Sequence, residues 1–209
     1  MNNILIFDYD GVIVDSLDIL MENFINACRK NNVNEIDSKE KFLKLFEKNF
    51  VEVLTDFGVP KEKVQKILED ANIGLQNKKD KICLHNGIIK MLDKLSKNNK
   101  LIIITSSPTR AIKDFLKSKH ICHFEDVLGA DIETDKVKKI ETVKTKFRGY
   151  EPFYIGDTWA DIIEGRKAGV KVIAVTWGFY SEEMLKRENP DFIVHTPKEL
   201  VDLIEKPMD

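Results

Sequence analysis

Four aspartates stand where strand-like segments of this sequence end. Asp8 and Asp10 directly follow one apolar run, and Asp157 and Asp161 follow another much later in the chain. Carboxylates that face one another in a crevice repel, and a divalent cation that prefers oxygen ligands relieves this repulsion. The four aspartates are therefore candidates for a site that holds such a cation.

Two further polar clusters follow the same pattern. Thr105, Ser106 and Ser107 come at the end of a second apolar run, and Lys136 opens a helical segment after a third, weaker one. A single pair of aspartates after a strand is usually a turn or a capping device. Four polar clusters at four strand ends are rarely a coincidence, so the spacing favours one shared site over unrelated turns.

The elements that must bring these clusters together alternate along the chain. Strand-like runs cover residues 3–7, 101–105, 126–129, 152–156, 171–175 and 191–194. Segments with helical periodicity lie between the later runs. This alternation predicts an α/β fold with a Rossmann-like parallel sheet and helices on both faces. Ligands of such sheets bind outside the carboxyl ends of the strands, so the four clusters would converge there.

The long segment between the first two strands breaks this alternation. Its periodicity is helical over residues 17–30, 38–56 and 61–76. The sequence Gly58-Val59-Pro60 separates the last two of these helices. We predict an all-helical cap over residues 16–82, inserted into an α/β core formed by residues 1–15 and 83–209.

Composition and net charge limit the classes of partner that the protein is expected to bind. Lys and Arg total 33 against 35 Asp and Glu, a formal net charge of −2 that offers nothing to attract nucleic acid or an anionic membrane. No apolar run approaches the ~20 residues of a membrane span, and the first residues lack the basic segment of a secretory signal. Three cysteines without CxxC spacing (Cys28, Cys83 and Cys122) favour a reducing compartment. We expect a cytoplasmic protein, and its oligomeric state stays unknown.

In this order, the motifs resemble the four motifs of the haloacid dehalogenase superfamily. The segments that carry the resemblance are Ile6-Phe-Asp8-Tyr-Asp10-Gly-Val-Ile-Val-Asp15-Ser16, Ile104-Thr105-Ser106, Lys136 and Gly156-Asp-Thr-Trp-Ala-Asp161. The helical insertion and the segments Val175-Thr-Trp-Gly-Phe179 and Asp191-Phe-Ile-Val194 are similar to the phosphoglycolate phosphatase-like branch, which has a helical cap. The resemblance implies an enzyme of phosphate chemistry.

The resemblance also implies a role for each acidic residue. Asp8 would be the nucleophile that forms an aspartyl-phosphate, and Asp10 would protonate the leaving oxygen and then deprotonate the attacking water. Mg²⁺ would bind the carboxylates of Asp8 and Asp157 and the backbone carbonyl of Asp10. Asp161 would support the site by orienting waters or Lys136.

The remaining site residues would bind the phosphate. The Thr105 hydroxyl and the Ser106 amide would donate hydrogen bonds to its oxygens. Lys136 would hold the nucleophile and neutralise the transferred charge. We assign this role to Lys136 rather than to Lys138 or Lys139, because Lys136 lies at the loop end of the helix. We expect Lys138 and Lys139 on a solvated face.

An acidic residue at position 10 favours phosphate esters, because family members that act on carbon–halogen or carbon–phosphorus bonds lack it. We therefore predict an Mg²⁺-dependent phosphatase for a small phosphorylated metabolite. A capped sugar phosphomutase is the closest alternative in chemistry. A receiver domain, which uses a phosphorylated aspartate as a non-enzymatic switch, is the alternative from another class.

The cap is expected to select the substrate by closing over the crevice. Lys41, Lys44 and Lys48 share one face of a cap helix and could offer a cation to an anionic substrate. Runs of charge on a helix are more often simply solvated, and we favour that interpretation.

Overall fold

The computed structural model describes residues 3–47, 50–76, 78 and 81–206. Its strands are β1 (Asn3–Phe7), β2 (Val14–Asp15), β3 (Cys83–Leu84), β4 (Asn99–Ile104), β5 (Asp126–Leu128), β6 (Glu151–Gly156), β7 (Lys171–Val175) and β8 (Phe192–Val194). Its helices are α1 (Leu17–Lys30), α2 (Lys39–Lys44), α3 (Phe50–Asp56), α4 (Lys61–Gln76), α5 (Ile88–Leu95), α6 (Thr109–Ser118), α7 (Lys136–Lys146), α8 (Trp159–Lys167), α9 (Glu182–Lys186) and α10 (Pro197–Glu205).

Six of these strands form one parallel sheet in the order β5-β4-β1-β6-β7-β8. The central strand β1 pairs with β4 on one side and β6 on the other, so that Leu5 lies opposite both Leu101 and Phe153. After β1, the chain adds β4 and β5 on one side of it. It then adds β6, β7 and β8 on the other side. This arrangement confirms the α/β prediction, and it places the switch in strand order beside the end of β1, where ligands of such sheets bind.

Alternate residues of β1 pack against different helices because successive side chains of a strand point to opposite faces. Leu5 and Phe7 belong to an apolar cluster with residues of α5, α6 and α10. Ile4 and Ile6 belong to a second cluster with residues of α7. Each of these side chains is almost fully buried, and burying one stabilises the fold by about 1.5–3 kcal/mol. Helices therefore cover both faces of the sheet, as predicted.

The helices α1 to α4 lie between β2 and β3 and have an apolar cluster of their own. Its buried members are Phe24, Ala27, Cys28, Val33, Ile36, Phe42, Leu45, Val53, Leu54, Val59, Val64 and Ile67. The two chain segments that connect these helices to the sheet pair antiparallel, Val14 with Leu84 and Asp15 with Cys83. A separate cluster and a paired connection are what a cap inserted into an α/β core requires. The boundaries at residues 16 and 82 stay a prediction.

The single helix predicted over residues 38–56 is wrong. Helix α2 ends at Lys44, and a turn follows in which Phe46 N–H donates to Leu43 O and Glu47 N–H to Lys44 O. Leu45 is buried in the apolar cluster of these helices, and Phe46 packs against both this cluster and residues of the α/β core. The hydrogen bonds of this turn join residues three apart, the tighter pattern that commonly ends an α-helix.

Within the described part of the chain, no helix has the length and apolar character needed to cross a membrane.

Candidate active site

The central strand positions Asp8. The backbone N–H of Asp8 donates to Ile155 O at 2.8 Å and so continues the pairing of β1 with β6. The chain then turns sharply, and Gly11 adopts a φ of +80°, which glycine adopts without strain. A Cβ on Gly11 would also overlap the Asp157 carboxylate. Asp8 is thus held on a rigid strand end directly beside a tight turn.

Helix α7 supplies Lys136, as predicted. The Asp135 carboxylate accepts hydrogen bonds from the first free N–H groups of this helix and so begins it next to the site. The Lys136 ammonium lies 3.2 Å from Asp8 Oδ2 and 2.8 Å from Asp161 Oδ1. Burial alone would lower the pKa of Lys136, but the charges of Asp161 and Asp8 outweigh it and raise this pKa well above its ordinary value. Lys136 is therefore a fixed cation beside Asp8.

The Asp161 carboxylate connects several elements of the site through hydrogen bonds. Its Oδ2 accepts from the backbone N–H groups of Asp157 and Thr158 at 3.2 and 3.1 Å, which forms a capping box at the start of α8. Its Oδ1 accepts from Tyr154 Oη at 2.7 Å and from Lys136. Burial would raise the pKa of Asp161, but Lys136 and these donors lower it overall. Asp161 is thus an ionised group whose oxygens are all engaged.

Asp157 is different, because one of its oxygens has no partner. Its Oδ2 accepts from the Phe179 N–H at 2.6 Å, whereas Oδ1 is buried and has no hydrogen bond among the described residues. Carboxylate oxygens of Asp8, Asp157 and Asp161 all lie within 4.8 Å of one another. Burial and the charges of Asp161 and Asp8 raise the pKa of Asp157 well above its usual range. A buried, unpaired carboxylate oxygen beside a second carboxylate fits a hard divalent cation.

The carboxylate of Asp10 is held by two serine hydroxyls. It accepts from Ser16 Oγ at 2.8 Å and from Ser107 Oγ at 3.0 Å. Burial raises the pKa of Asp10, and the two hydroxyls and Lys136 oppose that rise. Of the three predicted metal ligands, Asp10 is thus the one whose carboxylate is used elsewhere, which leaves its backbone carbonyl for a cation.

The end of β4 carries Thr105 and Ser106. Thr105 is buried and its Oγ1 accepts from the Ser107 N–H at 3.0 Å, whereas Ser106 is exposed. Beneath them, Lys139 donates from Nζ to Thr105 O at 2.7 Å.

The expectation that Lys139 lies on a solvated face is wrong. Its side chain is 1% exposed, whereas Lys138 is largely exposed, as expected. Lys139 lies one helical turn beyond Lys136 and therefore on the same inward face of α7. Burial and the charge of Lys136 lower the pKa of Lys139 to about 8.

Sequence reasoning assigned no role to several residues that shape the site. Ser16 lies inside the first quoted motif and Ser107 directly follows the second, and the hydroxyl of each could have indicated a hydrogen bond to a nearby carboxylate. The spacing of three from Lys136 could have indicated Lys139. Nothing local indicated that the Phe179 amide would reach Asp157, because the two residues follow different strands.

The cap lysines considered for substrate binding have acidic partners. Lys41 Nζ lies 2.8 Å from Asp37 Oδ1, and Lys44 Nζ lies 3.6 Å from Glu40 Oε1, both one helical turn away. Lys48 lies outside the described residues. The pairs favour the interpretation that these lysines are part of a solvated helix face.

Comparisons with known proteins show which proteins this chain resembles. The model of the family described as haloacid dehalogenase-like hydrolase matches residues 5–175. A "Putative pyrophosphatase PpaX" from Caldanaerobacter subterraneus is 26% identical over 96% of this chain and 93% of its own. A phosphoglycolate phosphatase from Synechococcus elongatus is 24% identical over 98% of both chains. The structure of a haloacid dehalogenase-like family hydrolase from Streptococcus pneumoniae shares the fold, with a TM-score of 0.84 over 98% of this chain and 99% of that one at 24% identity.

Proposed function

Because the chain belongs to the haloacid dehalogenase-like hydrolase family and is a phosphatase, we propose that it hydrolyses a small phosphorylated metabolite with Mg²⁺ through an aspartyl-phosphate on Asp8. The observation that carries this proposal is the position of the Asp8 carboxylate. It lies 3.2 Å from the Lys136 ammonium and offers an oxygen within 4.8 Å of an oxygen of Asp157, whose Oδ1 has no hydrogen bond among the described residues. A nucleophile that must approach an anionic phosphate needs positive charge around it.

The carboxylates of Asp8 and Asp157 and the backbone carbonyl of Asp10 are the groups that would hold Mg²⁺. When bound, the ion would neutralise charge on the phosphate and on the carboxylates that repel each other. The support for this choice is the unpaired Oδ1 of Asp157 and the all-oxygen donor set.

The first chemical step is attack of an Asp8 carboxylate oxygen on phosphorus. The new oxygen–phosphorus bond forms as the bond to the substrate oxygen breaks, and Asp10 gives its proton to that leaving oxygen. Burial raises the pKa of Asp10, which favours the protonated form that this transfer needs. The Thr105 hydroxyl, the Ser106 amide and Lys136 stabilise the transferred phosphoryl oxygens.

The second step returns the enzyme to its starting state. Asp10, now ionised, takes a proton from water, and the resulting nucleophile attacks the phosphorus of the aspartyl-phosphate. Inorganic phosphate leaves and the Asp8 carboxylate is regenerated. Ser16 and Ser107 keep the Asp10 carboxylate oriented through both steps.

We propose that the helices of residues 16–82 act as a cap that closes over this crevice and excludes water. We further propose that the protein works in the cytoplasm on a free metabolite and without nucleic acid or membrane. The near-neutral charge and the three free cysteines support this setting.

Phosphate release from a panel of small phosphate esters, with Mg²⁺ and with chelator, tests the proposal. The panel should include phosphoglycolate, pyrophosphate and a sugar phosphate. We expect chelator-sensitive release from at least one ester and none from the Asp8→Asn variant. Isomer formation from the sugar phosphate without release would indicate a phosphomutase instead. A phosphorylated protein that persists for minutes without release would indicate a receiver-type switch.

A further inference from the structure

The turn that ends α2 contacts the start of α8, which begins two residues after Asp157, and the loop after β7, which donates a hydrogen bond to Asp157. We name residues 43–47 the α2 turn. The carbonyl of Leu43 accepts from Tyr180 Oη at 2.9 Å, and the carbonyl of Phe46 accepts from the Ala160 N–H at 3.3 Å. Ala160 follows β6 and Tyr180 follows β7. The cap is therefore seated on the core next to the proposed cation site.

A second contact connects the α2 turn to Asp157 itself. The Phe46 ring packs edge-on against the Phe179 ring, with centroids 5.3 Å apart and planes at 74°. Phe179 is 7% exposed, and its backbone N–H is the donor that holds Asp157 Oδ2 at 2.6 Å. One residue of the core thus touches the cap through its side chain and Asp157 through its backbone.

The Asp157 carboxylate has little freedom apart from this hydrogen bond. Gly11 and Gly178 pack so closely against Oδ2 that a Cβ on either would overlap it. With Oδ2 enclosed and bonded to Phe179, the direction of the unpaired Oδ1 depends on where the Phe179 amide lies. A shift of that amide would turn Oδ1 away from a shared cation.

We propose that Phe46 is a positioning residue that acts through Phe179 to orient Asp157 for the cation, so that cap docking and cation binding favour each other. The proposal rests on the proposed function, since Asp157 is a cation ligand there. Coupling of this kind is reciprocal: a docked cap strengthens cation binding, and a bound cation strengthens docking to the same extent. Partners behind a metal ligand commonly change metal affinity by about 10–100-fold.

The test measures Mn²⁺ binding directly, without substrate, from the electron paramagnetic resonance signal of free Mn²⁺. We expect Phe46→Ala to raise the Kd by about three- to tenfold, below the range for residues that bond the ligand themselves. Phe46→Leu, which keeps apolar bulk, should fall between wild type and Phe46→Ala. Val64→Ala is the matched control, because Val64 is buried in the cap cluster and that cluster contains no core residue. It should lower the free energy of unfolding while the folded cap stays docked, and so leave the Kd unchanged.

A double-mutant cycle with Phe179→Ala identifies the route. If Phe46 acts through Phe179, its substitution should have little further effect on the Kd once the Phe179 ring is absent. Equal Kd values for wild type, Phe46→Ala and Phe46→Leu would overturn the proposal, as would fully additive effects in the cycle. If wild type binds no Mn²⁺ at all, the proposed cation site itself is wrong and the coupling is wrong with it. In activity assays, the coupling predicts a higher Mg²⁺ requirement with kcat close to wild type at saturating Mg²⁺.

Discussion

Nζ of Lys136 lies 3.2 Å from Oδ2 of Asp8, although one residue begins a helix and the other directly follows the central strand. The same ammonium lies 2.8 Å from Asp161. All three groups are almost completely buried, so their charges interact strongly with little screening by water. This relationship determines what substitutions and changes of pH should do to the protein.

Asp8→Asn should abolish phosphatase activity without unfolding the protein. The amide keeps the shape of the side chain but cannot form the aspartyl-phosphate, so kcat should fall by at least about 10³-fold. Phosphate release checks the loss of activity, and a thermal unfolding curve on the same preparation checks that the fold is retained. Turnover near that of wild type would remove Asp8 as the nucleophile.

Lys136→Met should lower both stability and activity. The substitution leaves Asp8 and Asp161 buried without their cation, and breaking a buried pair in this way costs about 3–5 kcal/mol of unfolding free energy. Lys138→Met is the matched control, because Lys138 is on the same helix but exposed, and its effect should stay within about 0.5 kcal/mol. Urea unfolding and phosphate release measure the two effects. Similar losses in both variants would contradict the assigned role of Lys136.

Without a divalent cation, the protein should lose stability as the pH rises from about 4 to about 7. Burial raises the pKa of Asp8 from 3.8 to about 7, so between these values the folded state binds a proton that the unfolded state has lost. The free energy of unfolding therefore falls with pH in this window. Urea unfolding in chelator at several pH values should show this slope, and Asp8→Asn should make it shallower. A slope of the opposite sign, or one unchanged in Asp8→Asn, would contradict the raised pKa.

Adding Mg²⁺ should reverse part of this loss. A ligand that binds the folded state alone raises the unfolding free energy, and carboxylates bind a cation best when ionised. The stabilisation by Mg²⁺ should therefore be larger near pH 7.5 than near pH 5. Thermal unfolding with Mg²⁺ and with chelator at both pH values is the measurement. The Asp157→Asn variant should show little stabilisation by Mg²⁺ at either pH.

Ser107→Ala should shift the pH dependence of turnover. The Ser107 hydroxyl stabilises the ionised form of Asp10, so its removal should raise the pKa of Asp10 further. The limb of the kcat–pH profile that reports Asp10 should move to higher pH. Ser118→Ala, which removes an exposed hydroxyl at the end of α6, is the control and should leave the profile in place. An unmoved limb in Ser107→Ala would show that the hydroxyl does not influence Asp10.

Much of this molecule could be predicted from local patterns. The apolar runs and the helical periodicity predicted the order of strands and helices of the core, and the residue types at strand ends predicted that Asp8, Lys136, Asp157 and Asp161 would meet. Both inferences depend only on residues that lie close together in the sequence. A parallel sheet brings the carboxyl ends of its strands to one edge, so the chemistry at those ends follows once the fold class is known.

The remaining features depend on how separate elements pack, and the sequence by itself could not determine them. Lys139 is buried because α7 lies against the end of β4, and the predicted cap helix ends at a turn whose Phe46 packs against both the cap cluster and the core. The Phe179 amide reaches Asp157 because β6 and β7 are adjacent in the sheet. Periodicity reports which side of an element is buried, but only the tertiary structure decides what each buried side chain meets, since that depends on contacts between residues distant in the chain.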